Sequence, residues 1–210
     1  MDRISWVHER SEYVDNIDGP MLAAAFLIEC RPASITAGQE AARLLAPRQW
    51  TKRFNAQVEA ETVLIPARLH FTSSQLALPE NDQAWRFTRA LQTRSNDGFE
   101  RQRAARDLLT ELEPWAAPFI VALIGEYIVE ILEDISNALT PDLEQTLAAF
   151  IADNEALWST TKRRITSYWN AYYRLGVNLR PTYRRAEYVG FELADRLDAA
   201  VIERAQSASE

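Results

Sequence analysis

Two histidines and one cysteine are the only imidazole and thiol groups in this chain of 210 residues. His8 and His70 stand in neither the His-Glu-x-x-His nor the Glu-x-x-His spacing that places nitrogen ligands on one helix face. Cys30 has no partner for a disulfide within the chain, and we expect it to be a buried small hydrophobic residue. The sequence therefore predicts no metal site and no cofactor.

Three glutamates form the one carboxylate arrangement that a hard cation such as Mg²⁺ could use. Glu126, Glu130 and Glu133 are spaced i, i+4 and i+7, which places them on one face of a predicted helix. The solvated face of any amphipathic helix has the same spacing, because the opposite face is apolar. We therefore interpret these carboxylates as an exposed surface.

Motifs for nucleophilic catalysis and phosphate binding do not occur in the sequence. It contains no Gly-x-Ser-x-Gly, Walker A or Gly-x-Gly-x-x-Gly pattern, and six glycines leave little material for phosphate loops. An enzyme of unfamiliar type stays as a third function class, with its acid and base among Glu126, Glu130, Arg68 and His70. We assign no catalytic residue, and binding is favoured over catalysis.

Charge is distributed unevenly along the chain. The net charge of −7 indicates no general attraction to polyanions. Residues 111–160 nevertheless contain ten acids and no base, whereas residues 161–185 contain seven bases and no acid. Aromatic residues are interleaved with this basic stretch, a pattern typical of nucleic-acid surfaces because arginine meets phosphate and rings stack on bases.

Helical spacing divides the basic stretch into two faces. Tyr168, Trp169 and Tyr172 fall on the core stripe, which weakens the stacking argument, and Tyr173 falls near the boundary of the polar face. Four acids of the last predicted helix lie opposite the bases and can offset them as surface pairs; they are Glu187, Glu192, Asp195 and Asp198.

The corner between the last two predicted helices, which we call the basic corner, has arginines without an obvious partner. Together with the polar face before it, this corner is the predicted partner-binding surface. The residues of this partner-binding surface are Arg163, Asn170, Tyr173, Arg174, Arg180, Arg184 and Arg185.

Three long amphipathic helices are predicted in the C-terminal part, after a short helix at 99–112. The first covers residues 114–139, the second begins at the Thr140 N-cap and ends at Gly176, and the third starts near Pro181. Short connections predict an antiparallel bundle. The second helix alone would be a rod of roughly 50 Å at 1.5 Å per residue.

The N-terminal part is less regular. Residues 20–30 could be a buried helix or a strand, and residues 58–71 could be extended or a broken helix. Helices are predicted at 36–46 and 79–92. We therefore predict a mainly α protein with one domain, 1–210, in which an irregular or helical part (1–96) adjoins a helical bundle (97–206).

The cellular location is predicted from two segments, the N-terminus and the most apolar window of the chain. The first lacks the features of a secretory signal, and the second lacks those of a membrane-spanning helix. Acids interrupt every apolar pair in residues 1–18, unlike a secretory signal. The most apolar window, 115–132, contains Glu126 and Glu130, which would cost on the order of 3 kcal/mol each in a bilayer. We expect a cytoplasmic protein without membrane contact.

The function favoured by these patterns is a helical interaction or scaffold protein that binds another protein or self-associates. Six tryptophans are many for a narrow bundle and also suggest self-association. The alternative is a nucleic-acid-binding protein that uses the basic corner.

Overall fold

The fold, seen in a computed structural model that describes residues 13–14, 17–80, 82–175 and 181–207, is mainly helical with a less regular N-terminal part. This confirms the predicted fold class. The N-terminal part contains the strands β1 (Tyr13–Val14), β2 (Thr51–Val58) and β3 (Glu61–Pro66) and the helices α1 (Gly19–Ala23), α2 (Ala33–Leu44) and α3 (Gln83–Gln92). The C-terminal part contains α4 (Gly98–Leu109), α5 (Ala117–Ile124), α6 (Val129–Ala138), α7 (Pro141–Asp153), α8 (Glu155–Tyr168) and α9 (Val189–Ser207).

An antiparallel hairpin occupies the segment whose conformation the sequence left open. β2 pairs with β3, and β1 adds two residues at the other edge of β2. Glu59 and Ala60 connect β2 to β3 with φ of 49° and 68°. Two consecutive positive φ angles are typical of the type I′ turn, whose twist matches that of the strands. Residues 61–66 are therefore extended rather than part of a broken helix.

Helices α1 and α2 pack in close backbone contact. Residues 20–30, also left open, form most of α1 and a 3₁₀ turn at Ile28–Cys30. A Cβ atom on Gly38 of α2 would lie 2.2 Å from the carbonyl oxygen of Gly19 and 3.0 Å from the amide nitrogen of Ala23. Only glycine fits at position 38, because the obstacle is main chain that cannot rotate away.

The first predicted long helix is interrupted. A 3₁₀ turn at Pro114–Ala116 leads into α5, which stops before Gly125, and α6 begins only at Val129. A Cβ atom on Gly125 would lie 3.3 Å from Cγ2 of Thr161, because α8 passes close to this point. The prediction of one continuous helix was wrong because apolar periodicity does not register a backbone break between two helices that share a core.

The second predicted long helix is interrupted as well. α7 starts at the predicted Thr140 N-cap, whose Oγ1 accepts from Leu143 N. It ends at Asn154, which bonds to the hairpin: Gln57 N donates to Asn154 Oδ1, and Asn154 Nδ2 donates to Gln57 O, both at 2.8 Å. α8 continues into a π-helical turn at Trp169–Tyr173, and the predicted end at Gly176 lies outside the described residues. The rod is therefore two helices, separated where the hairpin is attached.

The last helix starts later than predicted and packs on α6, α7 and α8. A 3₁₀ turn at Arg185–Glu187 precedes α9. Asp198 of α9 accepts from Trp158 Nε1 at 2.6 Å and pairs with Lys162 Nζ at 2.8 Å, which is one ion pair of the kind predicted between the acids of the last helix and the bases of the helix before it.

Buried apolar residues of both parts of the chain form one hydrophobic cluster. Phe26 of the N-terminal part stacks on Phe87 at 4.4 Å between ring centroids and on Phe119 of α5 at 5.6 Å. No helix in the described ranges is both long and apolar enough to cross a membrane.

Candidate functional site

Glu126 lies in the protein interior among three arginines. Its Oε1 is 3.0 Å from Nη2 of Arg68 and 3.2 Å from Nη2 of Arg94, and its Oε2 is 2.8 Å from Nε of Arg101. The side chains of Glu126, Arg94 and Arg101 are at most 6% exposed, whereas that of Arg68 is 36% exposed. We call these four residues the arginine cluster.

Four separate elements position the arginine cluster. Arg68 follows β3, Arg94 follows α3, Arg101 lies in α4, and Glu126 lies in the turn after α5. Main-chain carbonyls satisfy further guanidinium donors: Arg68 Nη1 and Arg101 Nη1 both donate to Ser95 O, at 3.0 and 2.7 Å, and Arg94 Nη2 donates to Ala67 O at 2.9 Å. The cluster thus ties the end of the hairpin to the start of the helical bundle.

Positive charge exceeds negative charge in this cluster. Burial, and then the charges of Arg68, Arg101 and Arg164, lower the pKa of Arg94 to about 10, although Glu126 acts in the opposite direction. Arg94 therefore stays protonated at neutral pH. Its Nη1 is buried without a hydrogen-bond acceptor in the described structure, and the contact between Arg101 Nε and Glu126 Oε2 lacks hydrogen-bond geometry. One carboxylate does not satisfy all the donors that face it.

The prediction that Glu126 belongs to an exposed acidic face was wrong. Glu126 is 5% exposed, because the break after α5 turns it away from the face that it would occupy on a continuous helix. Glu130 and Glu133 are exposed, as predicted. The one sequence signal for the break was Gly125 immediately before Glu126, because glycine is the least favourable residue in a helix interior apart from proline.

A groove of about 470 Å³ opens beside the arginine cluster, between the start of α4 and the turn that joins α5 to α6. Phe99 stands at this groove with 78% of its surface exposed. Asp97 caps α4 and accepts from Phe99 N at 2.9 Å, which fixes the backbone from which Phe99 projects. The lining residues are Asp97, Gly98, Phe99, Gln102, Tyr127, Ile128, Val129, Glu130, Tyr173 and Pro181.

The lining of the groove is apolar and acidic. Among the residues that the structure describes, the lining includes the acidic residues Asp97 and Glu130 and no basic residue. Tyr183 lies close by: burial, and then the charges of Glu133 and Glu130, raise the pKa of its hydroxyl. A cation would therefore be favoured in this groove.

The arginines of the predicted basic corner that the structure describes are exposed. Arg174 lies over the Trp169 ring at 5.7 Å and donates from Nη1 to Asn170 Oδ1 at 3.2 Å. Arg185 lies over the Phe191 ring at 4.0 Å. Five predicted partner-binding residues are exposed, namely Arg163, Asn170, Arg174, Arg184 and Arg185, while Arg180 lies outside the described residues.

Two details of the predicted basic corner are corrected. Arg184 has an acidic neighbour, since its Nε lies 4.0 Å from Glu187 Oε1. Tyr173 is 2% exposed, and its hydroxyl donates to the carbonyl oxygen of Tyr127. The π-helical turn explains this burial, because the extra residue in the turn rotates Tyr173 from the boundary of the polar face into the core. Tyr183 N donates to Tyr173 O at 3.0 Å, which joins the corner to the wall of the groove.

The residues weighed for catalysis and metal binding are only partly brought together. Arg68 and Glu126 form an ion pair, but Glu130 lines the groove and His70 is exposed near Gln49. Cys30 is half-buried, and burial raises the pKa of its thiol. Among the residues that the structure describes, no three His, Cys, Asp or Glu side chains are grouped to hold a metal ion.

No protein family model, curated protein or solved structure matches this chain.

Proposed function

We propose that this protein is an interaction module whose groove binds a segment of another protein, with an apolar anchor residue and a lysine or arginine beside it. The observation that carries the proposal is Phe99, a large apolar side chain that is 78% exposed at the edge of a groove lined by apolar residues and carboxylates. The proposal keeps the function class that the sequence favoured.

The apolar lining supports an apolar anchor. A single exposed hydrophobic residue is common on protein surfaces. Phe99, however, adjoins Ile128, Val129 and Pro181 in one concavity. Burying a phenylalanine side chain contributes about 1.5–3 kcal/mol, so an anchor that covers Phe99 gains affinity from surface that the free protein leaves in water.

The charge of the lining supports a basic residue next to the anchor. Asp97 and Glu130 line the groove, and no basic residue of the described ranges lines it with them. In an interface, complementary charge orients the partner and disfavours segments of the wrong sign. An acidic segment would meet like charge and bind more weakly.

The groove is held in shape before a partner arrives. Asp97 caps α4, the Tyr173 hydroxyl bonds to Tyr127 O, and Glu126 next to Tyr127 is anchored by the arginine cluster. A preformed site loses less conformational freedom on binding than a flexible one, and this raises affinity without new contacts.

The test selects a displayed library of random 12-residue peptides against the full chain. We expect enriched peptides to combine an apolar residue with lysine or arginine. Phe99→Ala and Glu130→Lys should each weaken the best synthetic peptide at least about tenfold in a fluorescence anisotropy titration. Ile202→Ala is the matched control, because Ile202 is also exposed (58%) but lies on α9 and does not line the groove.

Two results would contradict this function. Enriched peptides that bind Phe99→Ala as tightly as the unmodified protein would place binding elsewhere. Sedimentation that shows a dimer of the unmodified chain and a monomer of Phe99→Lys would show that the groove is occupied by a second copy rather than by a different protein.

A second candidate function, nucleic-acid binding, is favoured by the exposed arginines of the basic corner. Arg174 and Arg185 make no ion pair within the described residues, and both lie over aromatic rings. A 20-nucleotide single strand should lose about 20-fold in affinity between 50 and 200 mM salt if three phosphates are contacted. Joint replacement of Arg174, Arg184 and Arg185 by Glu should abolish binding, while Arg204→Glu on α9 should not. Salt-independent binding would exclude this function.

A further inference from the structure

We infer that Arg68 and Arg164, near the buried Arg94, form a binding site for a phosphate group. The ligand of this anion site differs from the ligand of the apolar groove. The anion site does not depend on the function proposed above.

The charge balance of the arginine cluster is the first argument. Among the described residues, four guanidinium groups interact electrostatically around one carboxylate, that of Glu126; they belong to Arg68, Arg94, Arg101 and Arg164. Buried charge without a counter-charge is costly. A bound dianion would bring the missing negative charge to these arginines.

Arg94 has a hydrogen-bond donor that no described group accepts. Arg94 is 3% exposed, and its Nη1 has no hydrogen-bond acceptor in the described structure. Its Nη2 bonds to Ala67 O and Glu126 Oε1. A buried N–H group without an acceptor destabilises the folded state, and more strongly when the group is charged. An oxyanion oxygen is the acceptor that a guanidinium group prefers.

Access from solvent is the third argument. Arg68 is partly exposed, and Arg164 of α8 is exposed with no ion pair or hydrogen bond to any described residue. The Gly125 turn brings α8 close: a Cβ atom on Gly125 would lie 3.5 Å from Cδ of Arg164. The charge of Arg164 is near enough to lower the pKa of Arg94. An anion can therefore reach Arg68 and Arg164 from solvent.

Phosphate fits this site better than a carboxylate. The planar guanidinium fork donates two parallel hydrogen bonds to either group, but a phosphate dianion offers more acceptor oxygens and twice the charge. The phosphate could be free or part of a larger molecule, and the experiment separates these sources.

The test is calorimetric titration of the full chain with inorganic phosphate and, separately, with glycerol 3-phosphate, at constant ionic strength in chloride. We expect saturable binding of at least one of them. Arg164→Gln should weaken it about tenfold, whereas Arg163→Gln should not change it. Arg163 is the matched control because it directly precedes Arg164 on α8, is exposed, and donates to Thr160 rather than to the arginine cluster.

Each result of the titration either identifies the ligand or overturns the inference. Binding of inorganic phosphate alone identifies a free anion as the ligand, and tighter binding of glycerol 3-phosphate identifies a phosphate monoester. No saturable heat with either compound would overturn the inference. Equal losses in Arg164→Gln and Arg163→Gln would also overturn it, because they would show general attraction to a basic helix instead of a built site.

Discussion

Replacing Glu126 with alanine is expected to lower the free energy of unfolding by about 3–5 kcal/mol. In the part of the chain that the structure describes, Glu126 is the one carboxylate paired with Arg68, Arg94 and Arg101, and Arg94 and Arg101 are almost fully buried. Its removal leaves their charges facing one another without compensation. It also removes the anchor of the turn between α5 and α6, so the end of the hairpin and the start of the bundle lose their connection.

Urea unfolding followed by circular dichroism measures this loss. Glu130→Ala is the control, because Glu130 is exposed four residues further along and should change stability by less than about 0.5 kcal/mol. Glu126→Gln keeps the shape of the side chain and removes only its charge. This variant replaces Glu126→Ala in the measurement if the alanine variant does not fold. Losses below about 1 kcal/mol in both Glu126 variants would show that the arginines do not need this carboxylate.

Replacing Gly38 with alanine is expected to destabilise the protein by about 1–3 kcal/mol or more. Helix propensity alone predicts the opposite sign, since glycine in a helix interior is about 1 kcal/mol less favourable than alanine. The added methyl group would lie 2.2 Å from Gly19 O, so α1 and α2 must separate to admit it. Their separation would loosen the buried contacts of Leu22 and Ala41.

Thermal unfolding of Gly38→Ala and Gly98→Ala tests this contact. A methyl group on Gly98 would lie 2.7 Å from Cδ1 of Ile128, the far end of a side chain that can rotate. We expect Gly98→Ala to cost less than about 1 kcal/mol. A stabilised Gly38→Ala variant would mean that the helix pair relaxes freely and that propensity decides the sign.

Features of the fold that depend on residues close together in the chain could be predicted from the sequence. The sequence predicts a helix start at Thr140, and this side chain accepts from the backbone N–H group of Leu143 in α7. Capping acts over three residues, and burial of an apolar stripe repeats every turn, so both leave local patterns.

The interruptions of the long helices could not be predicted in this way. α7 ends where Asn154 bonds to Gln57, which is 97 positions away in the chain. Tyr173 moves into the core because the π-helical turn adds one residue, and nothing in the apolar spacing signals that addition. A pattern along one helix carries no information about which distant element it meets.

The sequence by itself determined a mainly helical chain, the start of α7 at Thr140 and the division of acids from bases, because each depends on residue type and short spacing. Only the tertiary structure decided that Glu126 is enclosed by arginines 25 to 58 positions before it. It also decided that Phe99 stands at a groove whose other walls come from α6 and from the segment before α9. Such juxtapositions arise when the backbone turns at points like Gly125, where packing against another helix, rather than local spacing, determines the direction of the chain.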